Sequence, residues 1–157
     1  MSLSKEVEIL SNTPLFRGVE LAKLKLLAFM SEERVFHDGE TIMRQGEEAT
    51  AAFVLLDGKA DVFVGTGSDE QRVASIGQNE MFGEMAILSD MPRSATVRAS
   101  GDVRALRFDK SALLQLMRET PNMALEVMRS LANRLERTTR ELGRARSDLA
   151  LSRGRHG

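Results

Sequence analysis

The stretch FGEMAILSDMPRSATV, residues 82–97, sets a carboxylate, Glu84, and a guanidinium, Arg93, nine residues apart, with an apolar run between them and Pro92 just before the arginine. It reads as a strand end at Phe82, a turn at Gly83, one short helical turn over EMAIL, and a return to extended chain at SATV. A helix start leaves backbone N–H groups without intrahelical partners, and such groups suit an anionic oxygen. Arg93 offers a planar fork of donors that engages two phosphate oxygens at once, and Ser94 adds a hydroxyl beside it. Ionised Glu84 is an acceptor only, so it suits a sugar hydroxyl and would repel a phosphate. The two side chains therefore describe either a grip on two parts of one ligand, a cyclic phosphate fused to a ribose, or a buried Glu84–Arg93 pair with no ligand.

Outward from this stretch, the texture of residues 31–109 is that of a small all-β unit. Short apolar runs alternate with turn signals at Asp38-Gly39, Gly46, Asp57-Gly58, Gly65/Gly67, Gly77 and Gly101. The run AAFVLL (51–56) is apolar on both faces and is expected to be a central strand. ADVFV (60–64) and RVAS (72–75) flank GTGSDEQ as a hairpin. This spacing predicts a β-sandwich, jelly roll or barrel.

Helical periodicity brackets the β region. Residues 1–30 hold a first helix, a break at SNTP (11–14), and a second helix with Leu21, Leu24, Leu27 and Ala28 on one face. In residues 110–157, KSALLQLMRE forms a short helix, and Pro121 opens a long one over about 122–150. Along that helix Met128, Leu131, Leu135, Thr138, Leu142, Ala145 and Leu149 keep a heptad a/d stripe. Such a seam implies a homodimeric coiled coil, or a helix lying on its own β-domain. Gly143 weakens it by about 1 kcal/mol relative to alanine.

Composition bounds the rest. At 157 residues, 42% apolar and 29% charged, the chain reads as one globular domain with a real core. No run approaches the roughly 18 uninterrupted apolar residues of a membrane span, and no secretory signal opens the sequence, so a cytoplasmic location with no membrane partner is expected. Zero cysteines exclude disulfides, a thiol nucleophile and thiolate metal sites. The only histidines are His37, near a turn, and His156, in the tail, too few for a transition-metal enzyme on a β-barrel. A nucleotide hydrolase would need a general base, and Glu84 serves better as a sugar acceptor. The chain is therefore not expected to be an enzyme or to carry a metal or cofactor. Residues 129–157 hold eight arginines, no lysine and three acids, which suits either an acidic partner or a solvated helix face.

Residues 82–97 resemble the phosphate-binding cassette of the cyclic-nucleotide-binding domains: Phe82, Gly83, Glu84, Met85 and Ala86, then Pro92, Arg93, Ser94, Ala95, Thr96 and Val97 all fit its pattern. DGETIMRQGE (38–47), FVLLDGKADVFV (53–64) and TPLFRGVELAKLKLLA (13–28) are similar to other segments of that family, so the likeness covers nearly the whole chain. It implies a single domain over 1–157, an α+β fold with a β-roll (a double-stranded, jelly-roll-like barrel) flanked by N-terminal helices and a long C-terminal dimerisation helix. It also implies that Glu84 takes the ribose 2′-hydroxyl, while Arg93, Ser94 and the backbone of Gly83 and Met85 hold the cyclic phosphate. ANRLERTTRELG (132–143) resembles the dimer helix of the bacterial catabolite-activator branch, which puts Arg134, Thr138 and Thr139 beside the base.

Those threonines favour cAMP over cGMP as the ligand. Ser94 does not decide between them: in the family threonine at that position accompanies cGMP preference and alanine accompanies cAMP, while serine is common in bacterial cAMP binders. Bacterial activators continue into a helix-turn-helix domain, but only LSRGRHG follows the dimer helix here, so DNA binding is not expected and the downstream effector is unknown. The expected function is a cyclic-nucleotide sensor whose ligand is coupled to the position of the C-terminal helix, with a homodimer formed through helix 122–150. The alternatives are an interaction module with the same fold and an unused pocket, or the regulatory fragment of a longer transcription regulator.

Overall fold

The structure is a computed structural model that describes residues 3–155, with side chains described for residues 4–151. His156 lies outside the described residues. These fall into two compact units that divide after Met123.

The first unit is built on six antiparallel strands: β1 (Glu32–Phe36), β2 (Thr41–Met43), β3 (Ala51–Val64), β4 (Gln71–Ile76), β5 (Met81–Phe82) and β6 (Thr96–Asp109). Their order is β1-β6-β3-β4, with β2 added to β6 and β5 to β3. Between β5 and β6 sits the short helix α3 (Glu84–Ser89). The architecture is the expected β-roll.

The apolar run at the start of β3 has no polar face because both of its faces are covered. Ala52, Val54 and Leu56 join one core cluster with Leu10, Phe16, Leu24, Leu27, Phe108 and Leu113. The alternate residues Ala51, Phe53 and Leu55 join a second cluster with Phe82, Val97, Ala99, Val103 and Ala105. Side chains alternate across a strand, so consecutive apolar residues serve two cores at once. Phe53 stacks on Phe82 at 5.1 Å and meets Phe36 edge-on at 6.5 Å.

The sequence places a turn at Asp57-Gly58, but the chain remains one strand through it. Pairing with β6 slips between Leu55 and Asp57 and again between Asp57 and Lys59, so β3 bends without leaving the sheet. Such bulges bend a strand and increase its twist, which is how a sheet curls into a roll. Gly58 occupies φ +95°, and a Cβ there would lie 2.3 Å from the Asp102 carbonyl oxygen. Only glycine fits that corner.

Helices close one side of the roll. They are α1 (Leu3–Ser11), a 3₁₀ turn (Pro14–Phe16), α2 (Leu21–Met30) and α4 (Lys110–Glu119). The SNTP break ends α1, and Thr13 is buried with its hydroxyl donating to the Ile9 carbonyl at 3.0 Å. In α2, Leu24, Leu27 and Ala28 point inward, whereas Leu21, at the first position of the helix and the edge of that face, is 55% exposed. Lys23 of α2 donates to the Glu119 carbonyl of α4 at 2.8 Å. Pro121 then starts the long helix α5 (Pro121–Arg155), at a position where a missing N–H costs no helical bond.

The second unit is the continuation of α5, five residues longer at its C-terminal end than the periodicity indicates. Met128, Leu135, Leu142 and Leu149 of the heptad stripe are all more than half exposed in the single chain. The ion pairs Arg129–Glu126 and Arg140–Glu136 run along the helix surface. Among the described residues no helix is long and apolar enough to cross a membrane.

Candidate functional site

The cassette is organised around Arg93, which is only 5% exposed. Burying a guanidinium costs several kcal/mol unless its donors are satisfied. Arg93 Nη1 donates to the Gly83 carbonyl at 2.6 Å and Nη2 to the Ala51 carbonyl at 2.5 Å. Burial still pushes the guanidinium below its ordinary pKa, while the Glu47 and Glu84 carboxylates pull it back up. A buried arginine held by backbone carbonyls is fixed in direction yet not neutralised by them, as an anion-binding group requires.

Gly83 makes this possible in two ways. Its φ of +84° turns the chain from β5 into α3, and its missing Cβ leaves room for the guanidinium. A Cβ there would stand 2.8 Å from Arg93 Nη1 and 3.4 Å from the Ala51 carbonyl oxygen. Gly83→Ala is therefore expected to displace Arg93 and strain the backbone by about 1–2 kcal/mol. A lower denaturation midpoint together with weakened ligand binding is the expected result, and an unchanged value of both would contradict this geometry.

Beyond Gly83, Glu84 and Met85 open α3, both half-buried, and Ala86 and Ile87 anchor the helix in the core. Asp90, at φ +55°, ends it in a left-handed cap. Met91 N–H then bonds the Ala86 carbonyl at 3.1 Å. Pro92 follows, and Arg93 returns toward the sheet with Ser94 exposed beside it. The backbone of Arg93 is itself clamped: its N–H donates to the Glu47 carbonyl and its carbonyl accepts from Gly46 N–H, each at 2.8 Å.

The structure thus brings Gly83, Glu84, Met85, Arg93 and Ser94 together in one connection of the first unit. Arg134, Thr138 and Thr139 belong to the second unit, where the helix is exposed. Thr138 donates its hydroxyl to the Arg134 carbonyl at 3.0 Å, and Thr139 donates to the Leu135 carbonyl at 2.9 Å. His37, near its turn, stands 3.5 Å from Asp102 with both side chains exposed.

Three contributors escape a side-chain reading of the sequence. Ala51 acts through its carbonyl, which no residue type announces. Glu47 acts through its carbonyl and its charge, and Gly46 through its amide. The QGE run at 45–47 marks a turn at Gly46 and Glu47 without showing which backbone groups meet Arg93, and nothing in the sequence marks Ala51.

The cyclic nucleotide-binding domain model matches residues 33–120, more than half the chain. The chain belongs to the cyclic nucleotide-binding domain family. Among curated relatives, this cyclic nucleotide-binding domain is 29% identical over 136 residues to the CRP-like cAMP-activated global transcriptional regulator of Mycobacterium tuberculosis, covering 86% of this chain and 61% of that protein. It is 32% identical to the crystal structure of the Thermus thermophilus catabolite activator protein, with a TM-score of 0.73 over 82% of this chain and 61% of the other. The sensor domain of the transcriptional regulator DNR from Pseudomonas aeruginosa shares the fold, with a TM-score of 0.78 at 24% identity over 85% of this chain and 90% of that one. The chain spans about three-fifths of the length of the curated relatives it matches first.

Proposed function

We propose that the chain is a cAMP-responsive regulatory domain whose ligand is held by the cassette and coupled to helix α5. The observation that carries the reading is the buried Arg93 fork, fixed by the Gly83 and Ala51 carbonyls, with donors left over for the cyclic phosphate. Glu84 takes the ribose 2′-hydroxyl, Ser94 and the amides of Gly83 and Met85 complete the phosphate shell, and Arg134, Thr138 and Thr139 attend the base. Binding then shifts the population of helix positions by its differential affinity for them, and a homodimer formed through the heptad stripe carries that shift between subunits. The Mycobacterium tuberculosis relative named above is itself described as cAMP-activated, which supports the same ligand here.

The threonine geometry supports adenine over guanine. Each hydroxyl donates its proton to a carbonyl one turn back, so its oxygen presents lone pairs outward and acts as an acceptor. Adenine carries an amino donor at its 6-position, and guanine an acceptor. Thr138→Ala is expected to weaken cAMP binding about fivefold to tenfold while leaving cGMP nearly unchanged, as loss of one hydrogen bond requires. Isothermal titration with both nucleotides checks this, and equal losses would remove Thr138 from the base contact.

A further inference from the structure

Gln45 sits where three segments of the cassette's surroundings converge. Strand β6 begins at Thr96 between two neighbours, with β2 on one side pairing Met43 to Val97 and β3 on the other pairing Phe63 to Thr96. β2 ends opposite Val97 while β3 runs one residue past Thr96, and the segments that follow the two strands come together beside Thr96. Gln45 bridges them. Its side-chain oxygen accepts the Gly65 N–H at 3.0 Å, and its own N–H donates to the buried Thr96 hydroxyl at 2.9 Å. The next two residues of the same turn, Gly46 and Glu47, are the ones that clamp the backbone of Arg93.

The loop Gly65–Glu70 is fastened to β6 a second time. Glu70 meets Arg98 in a two-pronged ion pair, which holds the Glu70 carboxyl below its usual range, and the Arg98 guanidinium lies 4.8 Å over the Phe63 ring. Loop, turn and cassette are thereby tied into one hydrogen-bonded block, with the Gln45 amide as the link between the loop and the turn.

We propose that Gln45 is a positioning residue for the anion site: by holding the Gly65 amide it fixes the 44–47 turn, and through that turn it fixes the aim of Arg93. The inference rests on the anion role of Arg93 given above. A Gln45→Met substitution keeps the length and loses the acceptor, leaving the Gly65 N–H unpaired. Its expected effect is about a tenfold loss of cAMP affinity, the size of one lost acceptor for a part-buried amide. That loss should disappear when Arg93 is already alanine or lysine, because Gln45 acts only through the fork. An equal loss in both backgrounds, or no loss with Arg93 intact, overturns the proposal.

A second readout needs no ligand. Amide hydrogen exchange on the free protein should show weakened protection at Gly46 and Arg93 in Gln45→Met, and retained protection in Gln45→Glu, which keeps the acceptor. Unchanged protection in Gln45→Met overturns the proposal even if no nucleotide binds, whereas lost protection with no binding by the wild-type chain would uphold the positioning role and refute the cyclic-nucleotide reading.

Discussion

Replacing Arg93 by alanine should weaken cyclic-nucleotide binding by roughly 2–5 kcal/mol, or about 30-fold to several-thousand-fold, the size measured for truncating one partner of a buried charge pair. The large value follows from the site's construction. A ligand phosphate entering the cassette gives up its water, and the guanidinium is the formal positive charge at the centre of that connection. Without it, the Glu84 and Glu47 carboxylates, whose charges both act on Arg93, would repel the anion more strongly. Truncation also frees the Gly83 and Ala51 carbonyls, so some loss of stability is expected alongside, and melting the apo protein separates the two effects. Arg93→Lys keeps the charge but not the fork, and should fall between wild type and alanine. A loss of only a few-fold in Arg93→Ala with the fold intact would take Arg93 out of the phosphate role.

The second large effect is on assembly. Leu135 is 68% exposed in the single chain and lies at the middle of the stripe Met128, Leu131, Leu135, Thr138, Leu142. Exposed leucines at heptad spacing expect a partner helix, and a carboxylate placed among them must be desolvated whenever the seam closes. Leu135→Glu should therefore convert a dimer into monomers in sedimentation velocity, with the helical content of the first unit unchanged. A dimer that persists would show that the seam pairs through another surface or not at all.

Much of this molecule is legible in its sequence. The two-sided burial of residues 51–56 was visible as an apolar run without alternation. The strand–turn–helix course of the cassette was visible in Gly83 and in Pro92 just before the arginine. The sequence reads the bend at Gly58 as a turn between strands, because a glycine at positive φ looks the same in sequence whether it ends a strand or bends one. Helical spacing places Leu21 on the buried face, because spacing carries no information about where a face runs out. The carbonyls of Ala51, Gly83 and Glu47 could not be read at all, since every residue has one and only the fold decides which converge on Arg93. Whether Glu84 and Arg93 serve a ligand or each other is likewise not legible in residue types; in the structure the guanidinium donates to the Gly83 and Ala51 carbonyls.

The measurement that bears most directly on the whole account is isothermal titration of the purified chain with cAMP and then with cGMP. The account predicts saturable binding of cAMP at micromolar or lower concentration, with cGMP weaker. No heat with either nucleotide, together with an unchanged melting temperature in their presence, would contradict it and leave Arg93 as a structural brace in an interaction module.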